Sequence, residues 1–457
     1  MKTIVCGAGN VGLSIAQYLE LKGHDVTIIE ESEELVKNIS DKHDIRAICG
    51  FASDPEVLSL AGAKDADLLI AVTYSDEVNI VACEVVHILY QLPTKIARIR
   101  NRSYMNEKYA KLFTNDNIHI DTRISPELEV ANAIFQTLNI TGALRVIKLA
   151  EDLKLISVKC HFDTPIVNTP ISHITSLFPE ADLRIIAIQR GELSLIPMDK
   201  EKLLDGDEVY FVVRKELIDK ALEAFGHHDN PSRRIVIIGG GNIGFFLGEL
   251  IEKRLNNVDV RIVERDAERA KFISGKLNRC VVLHGDALDN EVLYEAGIAS
   301  AQTVIAVTQD DKVNTLASLS AKRYGASQSM ALINDPGSNA FVYSLGIDSI
   351  INPSEITVSN ILRHVKNRHL KTIHTLNNNW AEIIETTVLE NSKIIGTKAH
   401  DIEKPDSIKI AALIRDNQII LPNSQTIFML NDQVILISVR QSLATIEELF
   451  STRLDYF

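Results

Sequence analysis

Residues 50–73, GFASDPEVLSLAGAKDADLLIAVT, return at 285–308 as GDALDNEVLYEAGIASAQTVIAVT, with about half of the positions identical. Agreement over such a length at a fixed offset marks an internal duplication. A second pair of stretches supports it: KTIVCGAGNVG at 2–12 answers RIVIIGGGNIG at 234–244. Whatever architecture this chain adopts, it builds it twice.

The order within each copy is readable. Strand, glycine turn and helix open it (3–22 and 235–254), and a second strand follows, DVTIIEE at 25–31 and DVRIVER at 259–265. A helix, a short strand (RAICG; CVVLHG), another helix and the apolar strand LLIAVT or TVIAVT come next. Alternating strands and helices with β-branched runs predict an α/β fold, a doubly wound parallel sheet in each copy. Each copy then reaches a later strand and a helix opening on Ser125-Pro126 or Asn352-Pro353, with Glu355 as an N3 partner to Asn352. Ser or Asn at the N-cap supplies an acceptor, and Pro at N1 presets φ.

After each unit come about 80–90 residues of shorter alternating runs and turn residues. LRIIAIQRGELSLIP at 183–197 matches IKIAALIRDNQIILP at 408–422, and both segments close alike, around Asp207 and Asp432. These read as small α+β domains. The expected organisation is 1–123 and 232–350 for the nucleotide-type domains, with 143–226 and 370–453 for the small ones.

Composition limits the partners. The net charge of −13 argues against a sequence-independent grip on nucleic acid. No apolar run approaches the roughly 20 residues needed to span a bilayer. Five scattered cysteines, Cys6, Cys49, Cys83, Cys160 and Cys280, form no C-x-x-C pair and read as buried free thiols. The histidines show no ligand spacing, and His227-His228 before Asp-Asn-Pro-Ser reads as a linker.

The glycine turn carries the chemistry. In the first copy Gly7 allows the tight bend, Gly9 lets the backbone approach a pyrophosphate, and Gly12 lets helix and strand pack closely. The diphosphate would sit on the free N–H groups of the helix N-terminus. Gly239, Gly241 and Gly244 repeat the spacing. The next strand ends in an acid in both copies, Glu30 and Glu264. Such a carboxylate bonds a ribose 2′-hydroxyl and repels a 2′-phosphate, so NAD or another adenosine nucleotide fits better than NADP. Thr73-Tyr74 and Thr308-Gln309 end the fourth strands. Arg98 and Arg100 end the fifth strand as phosphate partners, whereas the second copy has Leu332 and Asn334 there. Asp286 in GDAL stands opposite Phe51 in GFAS.

A dehydrogenase also needs a general acid or base and a substrate anchor. No such constellation is visible, and a second complete nucleotide fold stands where a catalytic domain would be. Two binding folds without chemistry point to a sensor whose ligand biases one conformation.

In combination, GAGNVG, IIEE, GFASDPEVLSLAGAKDADLLIAVTYSDEVNIVAC and IARIRNRSYM resemble the domain that regulates potassium conductance, the RCK or KTN family. The endings at Asp207 and Asp432 resemble the small domain that follows it, so the resemblance covers essentially the whole chain. It implies no catalytic and no metal-binding residue. Its expected ligand is NAD, as NADH or NAD+, with ATP or ADP as alternatives at one or both sites. It also implies a cytoplasmic regulatory subunit, peripheral on the inner membrane, docked on a membrane-embedded potassium-translocating subunit and assembled as a homo-oligomeric ring, taken as a tetramer.

Carried over by position, the first site uses Gly7, Ala8, Gly9, Asn10, Val11, Glu30, Thr73, Tyr74 and Arg98. The second uses Gly239, Gly240, Gly241, Asn242, Ile243, Glu264, Asp286, Thr308 and Gln309. Phe51 departs from the family's acid, and the fifth strand of the second copy lacks arginine. Helix faces at Val130, Ile134 and Leu138, and at Val358, Ile361 and Leu362, are candidates for ring assembly; intrachain packing fits their periodicity equally. The alternatives are an NAD-dependent oxidoreductase and the regulatory part of another potassium channel or antiporter.

Overall fold

The structure, a computed structural model, describes the chain apart from residues 114–116, 228–232, 336, 338, 366–369, 377–379, 391 and 451–457. His228 and the turn after it lie outside the described residues. The chain forms two compact units, residues 1–130 with 353–365 and residues 131–352 with 366–457.

The first unit is built on a six-stranded parallel sheet. Its strands are β1 (Lys2–Cys6), β2 (Asp25–Glu30), β3 (Arg46–Cys49), β4 (Leu68–Ala71), β5 (Thr94–Arg98) and β6 (Thr122–Ile124), in the order β3-β2-β1-β4-β5-β6. The apolar runs explain it, because strands buried on both faces need side chains that pack on each side. Ile4, Val5, Ile28, Leu69 and Ile70 are all buried, and β1 pairs in register with β2 and β4 (Val5 with Ile28 and Ile70). The order reverses between β1 and β4, which puts the switch point beside the glycine turn.

Helix Pro353–His364 also belongs to this unit, although its sequence follows the second copy. Val358, Ile361 and Leu362 join Val5, Ile15, Leu19 and Ile28 in one core. Burial of each such side chain contributes roughly 1.5–3 kcal/mol. Asn360 Nδ2 donates to Glu129 Oε2 at 2.8 Å. Val130, Ile134 and Leu138 of helix Pro126–Leu138 are buried as well. The expectation that these faces build a ring is therefore corrected: the chain covers them itself.

The second unit holds three sheets. The small domain after the first copy is an antiparallel sheet of β7 (Ala143–Ala150), β8 (Leu153–Lys159), β9 (Leu183–Arg190), β10 (Leu193–Leu195) and β11 (Glu208–Arg214), ordered β10-β9-β11-β8-β7. The second parallel sheet contains β12 (Arg234–Ile238), β13 (Asp259–Glu264), β14 (Val281–His284), β15 (Thr303–Ala306), β16 (Gln328–Leu332) and β17 (Ser349–Ile351), ordered β14-β13-β12-β15-β16-β17. The last sheet has β18 (Leu370–Leu376), β19 (Ala381–Thr387), β20 (Ile408–Arg415), β21 (Gln418–Ile420) and β22 (Gln433–Val439), ordered β18-β19-β22-β20-β21. Read from the other edge, that is the strand order of the first small sheet.

The two small sheets share one core, where Leu155, Ile186 and Val212 meet Ile383, Ala411 and Ile437. The contact is reciprocal across a pseudo-twofold. Arg184 donates to the Pro422 carbonyl (2.9 Å), and Lys409, which occupies the same position on β20, donates to the Pro197 carbonyl (2.7 Å). Each small domain also closes on the same brace. Arg190 grips the buried Asp207 with two bonds of 2.9 Å, and Arg415 grips the buried Asp432 at 2.7 and 2.8 Å.

Of the cysteines, Cys6, Cys83 and Cys160 are buried as expected, and burial pushes the thiols of Cys6 and Cys160 up to about 12. Cys49 is exposed and Cys280 half-buried, which corrects the reading for those two.

Candidate functional site

The first site forms where β1 ends. Gly7 has φ +98°, and a Cβ there would stand 3.0 Å from the Thr73 Cα, so the turn admits only glycine. The Gly7 N–H donates to the Ile29 carbonyl at 2.8 Å, extending the β1–β2 pairing into the bend. A Cβ on Gly12 would meet the Gly7 carbonyl oxygen at 1.9 Å. Both glycines are required by the protein itself. Gly9 is different: its φ of −65° and ψ of 179° suit any residue, and nothing lies within 4 Å of a Cβ placed there. Gly9 is the N-cap of helix Asn10–Leu21 and no side chain caps it, so free N–H groups face the solvent-accessible end of the sheet.

Glu30 closes the turn from the side. Its carboxylate accepts from the Ala8 N–H at 2.7 Å and from the Ser32 N–H at 3.1 Å. Asn10 is exposed, and Val11 is half-buried. At the end of β4 the Thr73 hydroxyl and N–H donate to the Asn79 side-chain carbonyl at 2.7 and 2.9 Å. Asn79, fully buried, returns its amide to the Thr73 and Arg98 carbonyls at 3.3 and 2.9 Å. Asp76 accepts from the N–H groups of Arg100 and Asn101 at 2.7–3.0 Å. Together Asn79 and Asp76 fix the ends of β4 and β5 against each other.

Two arginines stand on that frame. Arg98 Nη2 donates to the Thr73 carbonyl at 2.8 Å, and its buried Nε has no partner among the described residues. Burial first, then the Arg100 charge, pulls Arg98 down to about 10. A desolvated cation beside a second cation is a place an anion stabilises. Arg100 lies 3.4 Å from Glu127 and 5.0 Å over the ring of Tyr74, which is 84% exposed. Arg98 is thus held by the scaffold and partly desolvated, while Arg100, partly exposed, lies between Glu127 and Tyr74.

The second site repeats the scaffold and changes its lining. Gly239 has φ +102°, a Cβ on Gly244 would meet the Gly239 oxygen at 2.0 Å, and Gly241 again has open space. Asn242 is exposed and Ile243 half-buried, like Asn10 and Val11. Glu264 accepts from Gly240 at 2.7 Å and Asp266 at 2.8 Å. Thr308 and Asn314 repeat the Thr73–Asn79 network, with 2.7 Å between Thr308 Oγ1 and Asn314 Oδ1, and Asp311 takes the place of Asp76. Gln309 is exposed. Asp286 is exposed too, and accepts from the Leu288 N–H at 2.9 Å.

Where the first copy has its strand-five arginine, Leu332 is buried. A cation comes from another element: Arg269 Nε donates to the Gly240 carbonyl at 2.8 Å, with its guanidinium 5.6 Å from the Phe245 ring and 5.2 Å from the Phe272 ring. Among the described residues no cluster of three or more His, Cys, Asp or Glu is placed to hold a metal.

The sequence matches the TrkA-N domain at residues 3–126 and 235–353, and the TrkA-C domain at 155–226 and 383–451. The Trk system potassium uptake protein TrkA of Azorhizobium caulinodans is 38% identical over 458 residues, covering the whole of both chains. That of Haemophilus influenzae is 35% identical over 455 residues, 98% of each. The chain belongs to the TrkA family. TrkA proteins are named for a potassium uptake system, and the family is one of transport, not of enzymes. Solved structures share the fold. The GsuK RCK domain superimposes with a TM-score of 0.60 at 18% identity, over 98% of this chain and 94% of that one. The GsuK channel bound to NAD gives 0.61 at 17%, over 98% and 78%.

Asp76, Asn79, Asp311 and Asn314 belong to the frame of the sites although the glycine fingerprint does not include them. Their signal was present, because Asp-x-Val-Asn recurs at 76–79 and 311–314 within the duplication. Arg269 had no such signal, since the first copy has Leu35 in its place.

Proposed function

We propose that the chain is the nucleotide-sensing regulatory subunit of a potassium uptake system. It binds NAD, as NADH or NAD+, or ATP and ADP, at the two glycine turns. Gly7 to Val11, Glu30, Thr73, Tyr74 and Arg98 form the first site, and Gly239 to Ile243, Glu264, Asp286, Thr308 and Gln309 the second. The observation that carries the reading is the pair Gly9 and Gly241. Neither backbone conformation nor packing asks for glycine at these positions, yet both copies keep it where a phosphate approaches the helix N-terminus.

The subunit acts from the cytoplasmic face, peripheral to the inner membrane. There it docks on a membrane-embedded potassium-translocating partner and assembles with its own copies as a ring, a tetramer. No helix of the described residues is long and apolar enough to cross a membrane, which agrees with a separate membrane partner. Ligand binding shifts the population between two arrangements of the nucleotide domains, and the rigid-body displacement is the output. No bond is made or broken. Titration of NADH, NAD+, ATP and ADP by calorimetry, with each turn mutated separately, tests the ligands. Catalytic consumption of NADH across carbonyl substrates, or no affinity for any adenosine compound, would overturn the proposal. Potassium-limited growth of a deletion strain tests the transport role.

A further inference from the structure

The two copies present different side chains on the rim beyond the end of the second strand. A ligand with its phosphates on the helix N-terminus and its ribose on the β2 acid carries its base outward, past the end of β2 toward β3. Both copies keep the geometry that sets this path. The Gly50 N–H donates to the Glu30 carbonyl at 3.0 Å, and the Gly285 N–H to the Glu264 carbonyl at 2.9 Å. The turns after β3 and β14 therefore lie against the strand ends that bear the acids.

On this rim the first copy carries two exposed apolar side chains. Phe51 is 63% exposed in the turn after β3, and Leu35 is 41% exposed in the first turn of helix Glu33–Lys42. The duplicated positions in the second copy are Asp286 and Arg269. Asp286 uses one oxygen on the Leu288 N–H, and its other oxygen has no partner among the described residues. Arg269 lies against the Gly240 carbonyl.

We infer that the two sites read the base differently: the first by its face, on the apolar rim of Phe51 and Leu35, the second by its edge, through Asp286. This rests on the nucleotide reading above. Phe51 and Leu35 have no donor or acceptor, so the first site takes any purine whose ring stacks. A carboxylate only accepts, so Asp286 takes a hydrogen bond from the exocyclic amino group of adenine. It repels the carbonyl oxygen that replaces this group in hypoxanthine.

The test compares NAD with nicotinamide hypoxanthine dinucleotide, and ATP with inosine triphosphate, by calorimetry on the full chain. Gly241→Val isolates the first site and Gly9→Val the second. At the first site the members of each pair bind within about threefold of one another; at the second the hypoxanthine compound binds about tenfold or more weakly. Phe51→Asp brings discrimination to the first site, and Asp286→Phe removes it from the second while adenine binding persists. Both positions are exposed, so unchanged melting temperatures verify folding of the variants. Equal discrimination at both sites, or discrimination that survives Asp286→Phe, overturns the base assignment alone. Absence of binding by all four compounds at both sites overturns the nucleotide reading and this inference with it.

Discussion

Replacing Gly9 by alanine separates what the fold needs from what the ligand needs. The residue sits at φ −65° and ψ 179°, an extended conformation open to alanine, and its new methyl group meets nothing within 4 Å. Losing glycine's freedom in the unfolded chain stabilises the protein by roughly 0.4–1 kcal/mol, and alanine's poorer fit at this N-cap takes back a similar amount, so stability should change little. The same methyl group occupies the space through which a phosphate reaches the helix N–H groups. Forcing it away forfeits about one charge-assisted hydrogen bond, roughly 1.5–3 kcal/mol. Affinity at the first site then falls about tenfold to a hundredfold. Gly12→Ala is the control with the opposite signature. Its methyl group would stand 1.9 Å from the Gly7 carbonyl oxygen, so the helix and turn must move apart, at a cost of about 1–3 kcal/mol or more. Calorimetric titration with NADH and ATP, alongside thermal unfolding, reads both quantities. A Gly9→Ala protein that melts several degrees lower while binding as before would show that the glycine serves packing, and the phosphate argument fails.

Three further outcomes follow from buried polar groups. Asn79→Ala strips partners from the Thr73 N–H and hydroxyl and from two carbonyls, so the first unit should lose roughly 3 kcal/mol, read as an earlier unfolding transition; Asn314→Ala does the same in the second unit. Asp432→Asn breaks the two-bond grip of Arg415, about 2 kcal/mol given the partly exposed guanidinium, and Asp207→Asn should cost a similar amount; a large inequality would refute the equivalence of the braces. Lys409 is buried and pulled from 10.5 to about 8, first by desolvation and then by Arg184. Between these values the unfolded chain holds the extra proton, so this group's contribution to stability rises with pH, by up to about 3 kcal/mol across that window. Denaturation of the native chain against Lys409→Met from pH 7.5 to 10.5 measures it, and a flat difference sinks the idea.

Much of the scaffold was legible because duplication doubles every signal. Two glycine turns, two acids ending the second strand and two runs of LLIAVT type leave little freedom for a sheet other than doubly wound parallel. The small domains were legible as texture, from alternation between turn residues, but not in their pairing. Nothing in a linear sequence shows that Arg184 and Lys409 reach across to the Pro422 and Pro197 carbonyls, since both read as ordinary strand charges. The helix after Asn352 misled for a related reason. Its apolar stripe demands a cover, but periodicity does not say whether the cover is another copy or the first sheet of the same chain. Contact with Ile15 and Leu19 decides it.

What the two copies share and where they differ fall in different places. Many of the shared groups are buried or sterically compelled: Gly7 and Gly239 at positive φ, Gly12 and Gly244 against a carbonyl, Asn79 and Asn314 in the same network of hydrogen bonds; Gly9 and Gly241 are shared without either reason. Several differences stand at or beside the carboxyl ends of the strands, where Leu35, Phe51, Tyr74 and Arg98 of the first copy correspond to Arg269, Asp286, Gln309 and Leu332 of the second. Random divergence of a tolerant surface would not exchange a half-buried arginine for a buried leucine, because each needs a different environment behind it. The second copy instead supplies a cation from the helix after β13, where Arg269 donates to the Gly240 carbonyl of the glycine turn, whereas Arg98 donates to the Thr73 carbonyl at the end of β4. Loss of one cation and gain of another on a different element fits the proposal of two unlike ligand sites on one scaffold.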